Sequence, residues 1–369
     1  MNDSNNTIPL CFANTSTPFV YYPNGDVSYS ATFSALGLTS NLIALIVLFK
    51  SFHQTLSRSR SFFLIFLCGL VVTDFMGLLV TGTVVLSFYV TRYDWRQIDP
   101  KCHLCNFMGM SMVFYGLCPL LLGATMAVER FVGINCPFAR STSVSKGRTF
   151  SMVLMVWFIA GCISLLPLIG FGSYHIQTPG SWCFINVSSE RSDWVFALVF
   201  SLLGLTAIAV SILLNTVSVV TLIRVCCGPH RTQRRRDHEV EMMVQLLLIM
   251  AIATICWCPL LIFIAQNAFS GSGLEVKYLV LWIRFATCNQ ILDPWVYILF
   301  RRSVFKRVNP RWSRASIMSM YPSFRETVRR FTQSSLGSNI GTESAEDVEK
   351  SNVMPLSTEK PTPPSPMSS

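Results

Sequence analysis

Charge is what this chain has least of. Only 13% of its 369 residues are Asp, Glu, Lys or Arg, against about 25% in soluble domains, which excludes an ordinary soluble enzyme. The first 29 residues contain no Lys or Arg and no apolar run resembling a signal peptide. The first apolar block is therefore expected to insert as an uncleaved anchor. There is no His-Glu-x-x-His, Gly-x-Ser-x-Gly or Walker run, so the common signatures of zinc, serine-hydrolase and nucleotide-hydrolysing enzymes are missing. No internal repeat is evident, and no cysteine follows Cys288, so palmitoylation of the tail cannot occur.

Apolar residues are abundant: they make up 51% of the chain, and the mean hydropathy is +0.47. They fall in long blocks separated by short polar stretches. A helix needs roughly 20 apolar residues to cross the hydrocarbon of a bilayer. Seven segments meet that length: 29–49, 62–90, 105–135, 150–170, 194–223, 242–269 and 278–300. Pro119, Pro167, Pro259 and Pro294 lie inside them, which a membrane bundle tolerates because neighbouring helices satisfy the freed backbone groups. The expected fold class is an all-α membrane protein, a seven-transmembrane-helix bundle with a short amphipathic membrane-surface helix and a disordered C-terminal tail. The expected parts are an extracellular glycosylated segment (1–28), the bundle (29–300), the juxtamembrane helix (301–314) and the tail (315–369), which ends in Ser, Thr and Pro without periodicity.

The formal charge of +10 first leaves nucleic acid, anionic lipid or acidic partners open, and the placement of the charges decides. One set of loops carries Lys50, Arg58 and Arg60, then Arg140, Lys146 and Arg148, then Arg224, Arg231 and Arg234 to Arg236, then Arg301, Arg302, Lys306, Arg307, Arg311 and Arg314. The opposite set carries only Arg92, Arg96, Lys101, Arg191 and Lys277. Positive charge collects on the cytoplasmic side, so the N-terminus is expected outside and the C-terminus in the cytoplasm, with no nucleic-acid partner. The sequons at Asn2, Asn5, Asn14 and Asn186 fall on the outer side and are candidate glycosylation sites. Cys11, Cys102, Cys105 and Cys183 fall there too and can pair. Cys68, Cys118, Cys162, Cys256, Cys258 and Cys288 read as small buried hydrophobes.

A charge inside a membrane span costs at least a few kcal/mol and usually marks function. Asp74, the Glu129-Arg130 pair, Arg284 and Asp293 meet that description. Arg284 is the unusual one. It lies between Ile283 and Phe285, about 9 Å below the outer end of its segment at 1.5 Å per residue. No acidic residue is evident in the outer halves of the other segments. An anionic ligand is a natural partner, because a carboxylate accepts a bidentate, charge-assisted pair from a guanidinium. Capping of backbone carbonyls and outward snorkelling are the structural alternatives.

Residues 29–307 resemble the rhodopsin-like family of G-protein-coupled receptors. The landmarks are Asn41, Leu70-Val-Val-Thr-Asp74, Glu129-Arg130-Phe131, Trp157, Cys256-Trp257-Cys258-Pro259 and Asp293-Pro294-Trp-Val-Tyr297. The resemblance implies that Glu129 holds Arg130 at rest and that Arg130 later contacts a G protein, with Phe131 replacing the usual Tyr. It implies that Trp257 and Pro259 bias the bend of their helix, with Asp293, Pro294 and Tyr297 sharing in activation. It implies a polar network of Asn41, Asp74, Asn289 and Asp293. Sodium binding near Asp74 is in doubt, because Pro119 stands where the family has a Ser. Met112 stands where amine receptors have an aspartate, so a protonated amine has no counter-ion.

Gly116-Leu-Cys-Pro-Leu-Leu-Leu-Gly123, Pro179-Gly-Ser-Trp-Cys-Phe184, and Arg284 before Asn289-Gln-Ile-Leu-Asp293-Pro294-Trp295 are similar to the prostanoid receptor subfamily. Leu79-Val-Thr-Gly-Thr83, Tyr174 to Phe184, Leu214-Asn-Thr-Val-Ser218 and Glu239 to Met243 leading to Gln266 are similar to its thromboxane-binding branch. The implied ligand is a carboxylate-bearing lipid, thromboxane or a related prostanoid. Arg284 would take the carboxylate, Thr81, Ser181 and Trp182 would orient it, and Met112, Phe184 and Trp257 would line its apolar body. Disulfides Cys105–Cys183 and Cys11–Cys102 are implied, with zinc binding by Cys102-His103-Leu-Cys105 or a free Cys11 as alternatives. The implied partners are a Gq-type G protein acting through phospholipase C and calcium, G12/13-type proteins secondarily, and arrestin and receptor kinases through the tail. No metal, cofactor or enzymatic activity is expected. A receptor for a different prostanoid and an organic-anion transporter are the alternatives.

Overall fold

The computed structural model describes residue 11 and residues 26–53, 58–91, 95–135, 146–177, 180–187, 191–226, 233–270 and 276–299. The sequons Asn2, Asn5 and Asn14, the 301–314 juxtamembrane helix and the 315–369 tail lie outside them.

Seven long helices follow the seven apolar segments. They are α1 (Asp26–His53), α2 (Arg58–Thr91), α4 (His103–Asn135), α5 (Lys146–Leu165), α6 (Arg191–Cys226), α7 (Gln233–Ser270) and α8 (Val276–Leu299), with a one-turn helix α3 (Trp95–Ile98) before α4. Most run past the apolar segment by a turn or more, since backbone hydrogen bonding continues beyond the hydrocarbon. The largest extension is in α7, which takes in the basic run before Met242. The fourth segment instead stops early. Helix α5 gives way to a 3-10 turn at Leu166–Ile169 that carries Pro167 and ends on left-handed Gly170, as a residue without a free N–H dictates. Pro119, Pro259 and Pro294 remain inside α4, α7 and α8.

Six of the seven helices are apolar enough to read as membrane spans on composition as well as length. The seventh, α8, is about 36 Å long at 1.5 Å per residue, ample for a crossing. Lys277, Arg284, Asn289, Gln290 and Asp293 lower its hydropathy. The polar helix is thus the one that carries the candidate site.

Helix α4 is central and packs against α2, α5 and α6, while α8 sits between α1 and α7. One part of the core is built on Trp95, Met108, Tyr174, Phe196 and Phe200, and the other on Phe63, Phe66, Leu70 and Met126. Large apolar side chains such as Phe49, Met155, Phe158 and Phe269 point away from the bundle, as expected where lipid is the solvent. Cys68 and Cys162 share that outward surface, so they are not the buried hydrophobes the sequence suggested. They lie in apolar segments, but on the faces turned away from other helices.

The chain is not purely helical. Strands β1 (Tyr174–Gln177) and β2 (Trp182–Ile185) form an antiparallel hairpin in which Tyr174 pairs with Ile185 and His175 with Phe184. Aromatic and β-branched residues suit the pleated backbone. Gly180 takes φ 95° at the turn, a conformation that favours glycine.

Candidate functional site

The hairpin roofs the end of the bundle at which α4 begins and is fixed at several points. Cys183 is disulfide-bonded to Cys105 of α4, and Cys102 to Cys11. Asp99 orders the start of α4: its carboxylate accepts from the backbone N–H groups of His103 at 2.7 Å and Cys105 at 2.9 Å, which satisfies two orphan donors at the positive end of the helix. The Trp95 indole donates to the Gly180 carbonyl at 2.6 Å and holds the turn. The Tyr174 hydroxyl donates to the Ser164 carbonyl at 2.7 Å, and burial pushes that phenol well above its ordinary pKa. On the α6 side, Asp193 accepts from Ser173 at 2.8 Å and from the Asn186 amide at 2.6 Å. Asn186 is only 6% exposed, so this sequon holds a buried side chain whose nitrogen is already engaged.

Beneath the hairpin lies a cleft walled by α1, α2, α4 and α8, with about 810 Å³ of empty space when the part open to solvent is included. Arg284 stands in its wall with its guanidinium over the Tyr29 ring, 4.6 Å from the centroid, a cation–π contact. Tyr29 stacks in turn on Phe33, with centroids 4.0 Å apart. Thr81, Met112, Ser181 and Trp182 line the same cleft. A second, deeper cavity of about 450 Å³ contains Phe184 and Trp257 and shares Thr81, Met112, Ile283 and Thr287 with the first. All seven residues expected at a ligand site therefore line these two adjoining spaces.

Two details change the roles read from sequence. The Thr81 hydroxyl donates to the Gly77 carbonyl at 2.6 Å, so its hydrogen is already committed and cannot simultaneously serve a carboxylate. Ser181 is paired with the Tyr89 hydroxyl at 3.4 Å, which brings Tyr89 into the cleft as a polar group that sequence reading missed. Tyr29 and Gln290 were missed as well. Tyr29 sits at the margin of an apolar run and has no motif. Gln290 is hidden inside the Asn289-to-Asp293 motif, where attention goes to its neighbours.

Lower in the bundle, the other expected residues occupy distinct contacts. The Trp257 ring edge lies against Gly116, 2.8 Å from where a Cβ would stand. Asn289 donates to Asp293 at 2.9 Å, and Asn41 donates to the Gln290 carbonyl at 2.9 Å. Asp74 is fully buried, but its carboxylate has no hydrogen-bond partner among the described residues; the expected network is therefore joined through α8 and not through Asp74. At the end of the bundle away from the hairpin, Glu129 and Arg130 are 3.3 Å apart, and Arg130 lies over the Phe63 ring at 5.0 Å. Phe131 is half-buried beside them. Tyr297 shares a hydrogen bond with Ser51 at 2.8 Å, tying α8 to α1. Among the described residues no cluster of His, Cys, Asp and Glu is arranged to hold a metal ion.

The sequence profile of the 7 transmembrane receptor (rhodopsin family) matches residues 40–297. The thromboxane A2 receptor of Mus musculus is 55% identical over 295 residues, covering 77% of this chain and 86% of that protein. The thromboxane A2 receptor of Homo sapiens is 51% identical over 310 residues, covering 81% and 90%. The prostaglandin F2-alpha receptor of Homo sapiens is 40% identical over 287 residues, covering 76% and 80%. In three dimensions the chain is similar to squid rhodopsin, with a TM-score of 0.65 over 80% of this chain and 86% of the other at 17% identity. That last likeness concerns the fold alone.

Proposed function

Because the chain belongs to the rhodopsin family of seven-transmembrane receptors, and within it to the prostanoid receptors, we propose that it binds thromboxane or a closely related prostanoid from the outer side of the plasma membrane. It is not an enzyme; any exchange of nucleotide takes place on its partner. The observation that carries the ligand reading is Arg284, a guanidinium set in the wall of an otherwise largely apolar cleft and backed by aromatic rings. A lipid carboxylate matches its charge and its fork of donors. The two adjoining spaces give the apolar body of the lipid a place to lie.

Ligand occupancy beneath the hairpin would shift the receptor between states by differential binding. Trp257 lines the deeper cavity, and Pro259 lies two residues away in the same helix, so contact there can alter the bend of α7. At the inner end the Glu129–Arg130 pair would open to a G protein of the Gq type, with G12/13-type proteins second, and signalling would run through phospholipase C and calcium. The N-terminus would lie outside and the tail inside, where kinases and arrestin act.

Arg284→Ala tests the reading. Charge-assisted hydrogen bonds contribute about 1.5 to 3 kcal/mol net, so affinity for a radiolabelled thromboxane mimetic should fall about ten- to a hundredfold while the protein still reaches the surface. Unchanged affinity in a surface-expressed variant defeats it. The prostaglandin F2-alpha receptor at 40% identity keeps a different prostanoid as a second reading, and competition binding across a prostanoid panel separates the two. Organic-anion transport is not retained, since the chain belongs to a receptor family.

A further inference from the structure

We infer that Gln290 forms a polar subsite at the inner end of the ligand space and selects acids that carry an oxygen function in the body of the lipid. The inference rests on the reading of Arg284 as the carboxylate site. Gln290 is only 9% exposed, yet it lines the deep cavity. Its backbone carbonyl accepts from Asn41, but its side-chain amide makes no hydrogen bond to any described residue. The amide atoms open onto the cavity rather than being sealed in the protein, so they are placed to pair with a ligand that enters and would be left unpaired by one that offers no partner.

The side chain is also held in place. A Cβ built on Gly77 would stand 3.1 Å from Gln290 Nε2 and 3.0 Å from Tyr115 Cβ. The missing side chain at position 77 thus lets the amide and the Tyr115 ring settle together against α2. Of the cavity's other polar groups on α8, Thr287 already donates to the Ile283 carbonyl at 2.9 Å. The Gln290 amide therefore has hydrogen-bonding capacity to offer a ligand where this hydroxyl's hydrogen is spent.

The spacing defines the ligand class. Gln290 lies six residues beyond Arg284 on α8, about 9 Å further along the axis, and the two spaces they line share Thr81, Met112, Ile283 and Thr287. A lipid acid whose carboxylate meets Arg284 can place an ether or hydroxyl oxygen against Gln290 only if the two groups are separated by at least about that distance, because six residues also turn the two side chains about 120° apart around the helix. An unsubstituted fatty acid would fill the same space, displace solvent and leave the amide without a partner. Its affinity should be about tenfold lower or worse on that account.

The test compares a radiolabelled thromboxane mimetic bearing ring oxygen with the matching carbocyclic acid, in which CH2 replaces that oxygen, on membranes carrying the full-length receptor. Gln290→Leu should weaken the oxygenated acid about 3- to 10-fold and bind the carbocyclic acid no more weakly than the wild type does, because that acid no longer strands an amide. Gln290→Met, close in length and unable to hydrogen-bond in the same way, should do likewise and serves if the Leu variant fails to reach the surface. Arg284→Ala should weaken both acids. Equal loss of both acids in the Gln290 variants, or loss of neither, overturns the subsite alone. Unchanged binding of both acids to Arg284→Ala overturns the carboxylate reading and the subsite with it.

Discussion

Acid should loosen the hairpin that roofs the cleft, through His175. This residue is 5% exposed, and neither ring nitrogen has a hydrogen-bond partner among the described residues. Burial holds its pKa below the ordinary value, and the Asp193 carboxylate opposes that shift in part. With the folded pKa depressed, the docked hairpin keeps a neutral ring at a pH where the undocked hairpin binds a proton. Above about pH 6.5 both states are neutral and stability is flat; below it, the docked state loses at most about 1.4 kcal/mol per pH unit until its own pKa is reached. Between pH 7.5 and 5.5 the loss is therefore bounded at about 1.4 kcal/mol, a drop of about 2 to 4 °C in midpoint. Thermal unfolding of the purified receptor across this range should show the fall in the wild type and a shallower one in His175→Phe, which removes the titrating group. Because His175 pairs with Phe184, which lines the deep cavity, ligand dissociation should quicken over the same interval. A His175→Phe receptor with the pH dependence of the wild type would refute the reasoning.

Three other perturbations follow from contacts in the same structure. Asn186→Gln should leave the glycan-dependent gel mobility unchanged, because the native amide is buried on Asp193 and Ser173, but should cost about 1 kcal/mol by displacing one of the donors to the Asp193 carboxylate; a clear mobility shift would contradict this. Trp95→Phe removes the donor to Gly180 and should lower the thermal midpoint of the receptor and raise the ligand off-rate several-fold, with an unchanged off-rate counting against a roof held from α3. Glu129→Gln weakens the 3.3 Å pair with Arg130 and should raise ligand-independent nucleotide exchange on the partner G protein, measured with a non-hydrolysable GTP analogue. Basal exchange no higher than wild type would mean that the pair does not restrain the receptor.

The seven long helices were legible in the sequence because each is an apolar run longer than the bilayer core requires, and an interrupted run such as the one containing Pro119 still reads through. The hairpin was not. Its strands are four residues each, too short for an alternating pattern to stand out, and only the flanking Gly180 hints at a turn. Arg284 was legible because a guanidinium between Ile283 and Phe285 contradicts its surroundings. Tyr29, which covers it, was not, since the cation–π contact joins α1 to α8, elements far apart in sequence.

Hydroxyl groups show why sequence overstates the polarity of such a cleft. Thr81, Thr287, Thr254 and Ser201 each donate to a carbonyl four residues back in their own helix, a bond open to any Ser or Thr side chain inside a helix. Counted from sequence, Thr81 and Thr287 add donors to the site; in the structure their hydrogens are spent on the backbone. Arg284 and Gln290 are different, because their polar groups sit at the ends of longer side chains and extend beyond their own backbone. The two side chains best able to recognise an acid and an oxygen therefore both come from α8, the one long helix among the described residues without a strongly apolar stretch of membrane-spanning length. Its lowered hydropathy is the cost of carrying the site.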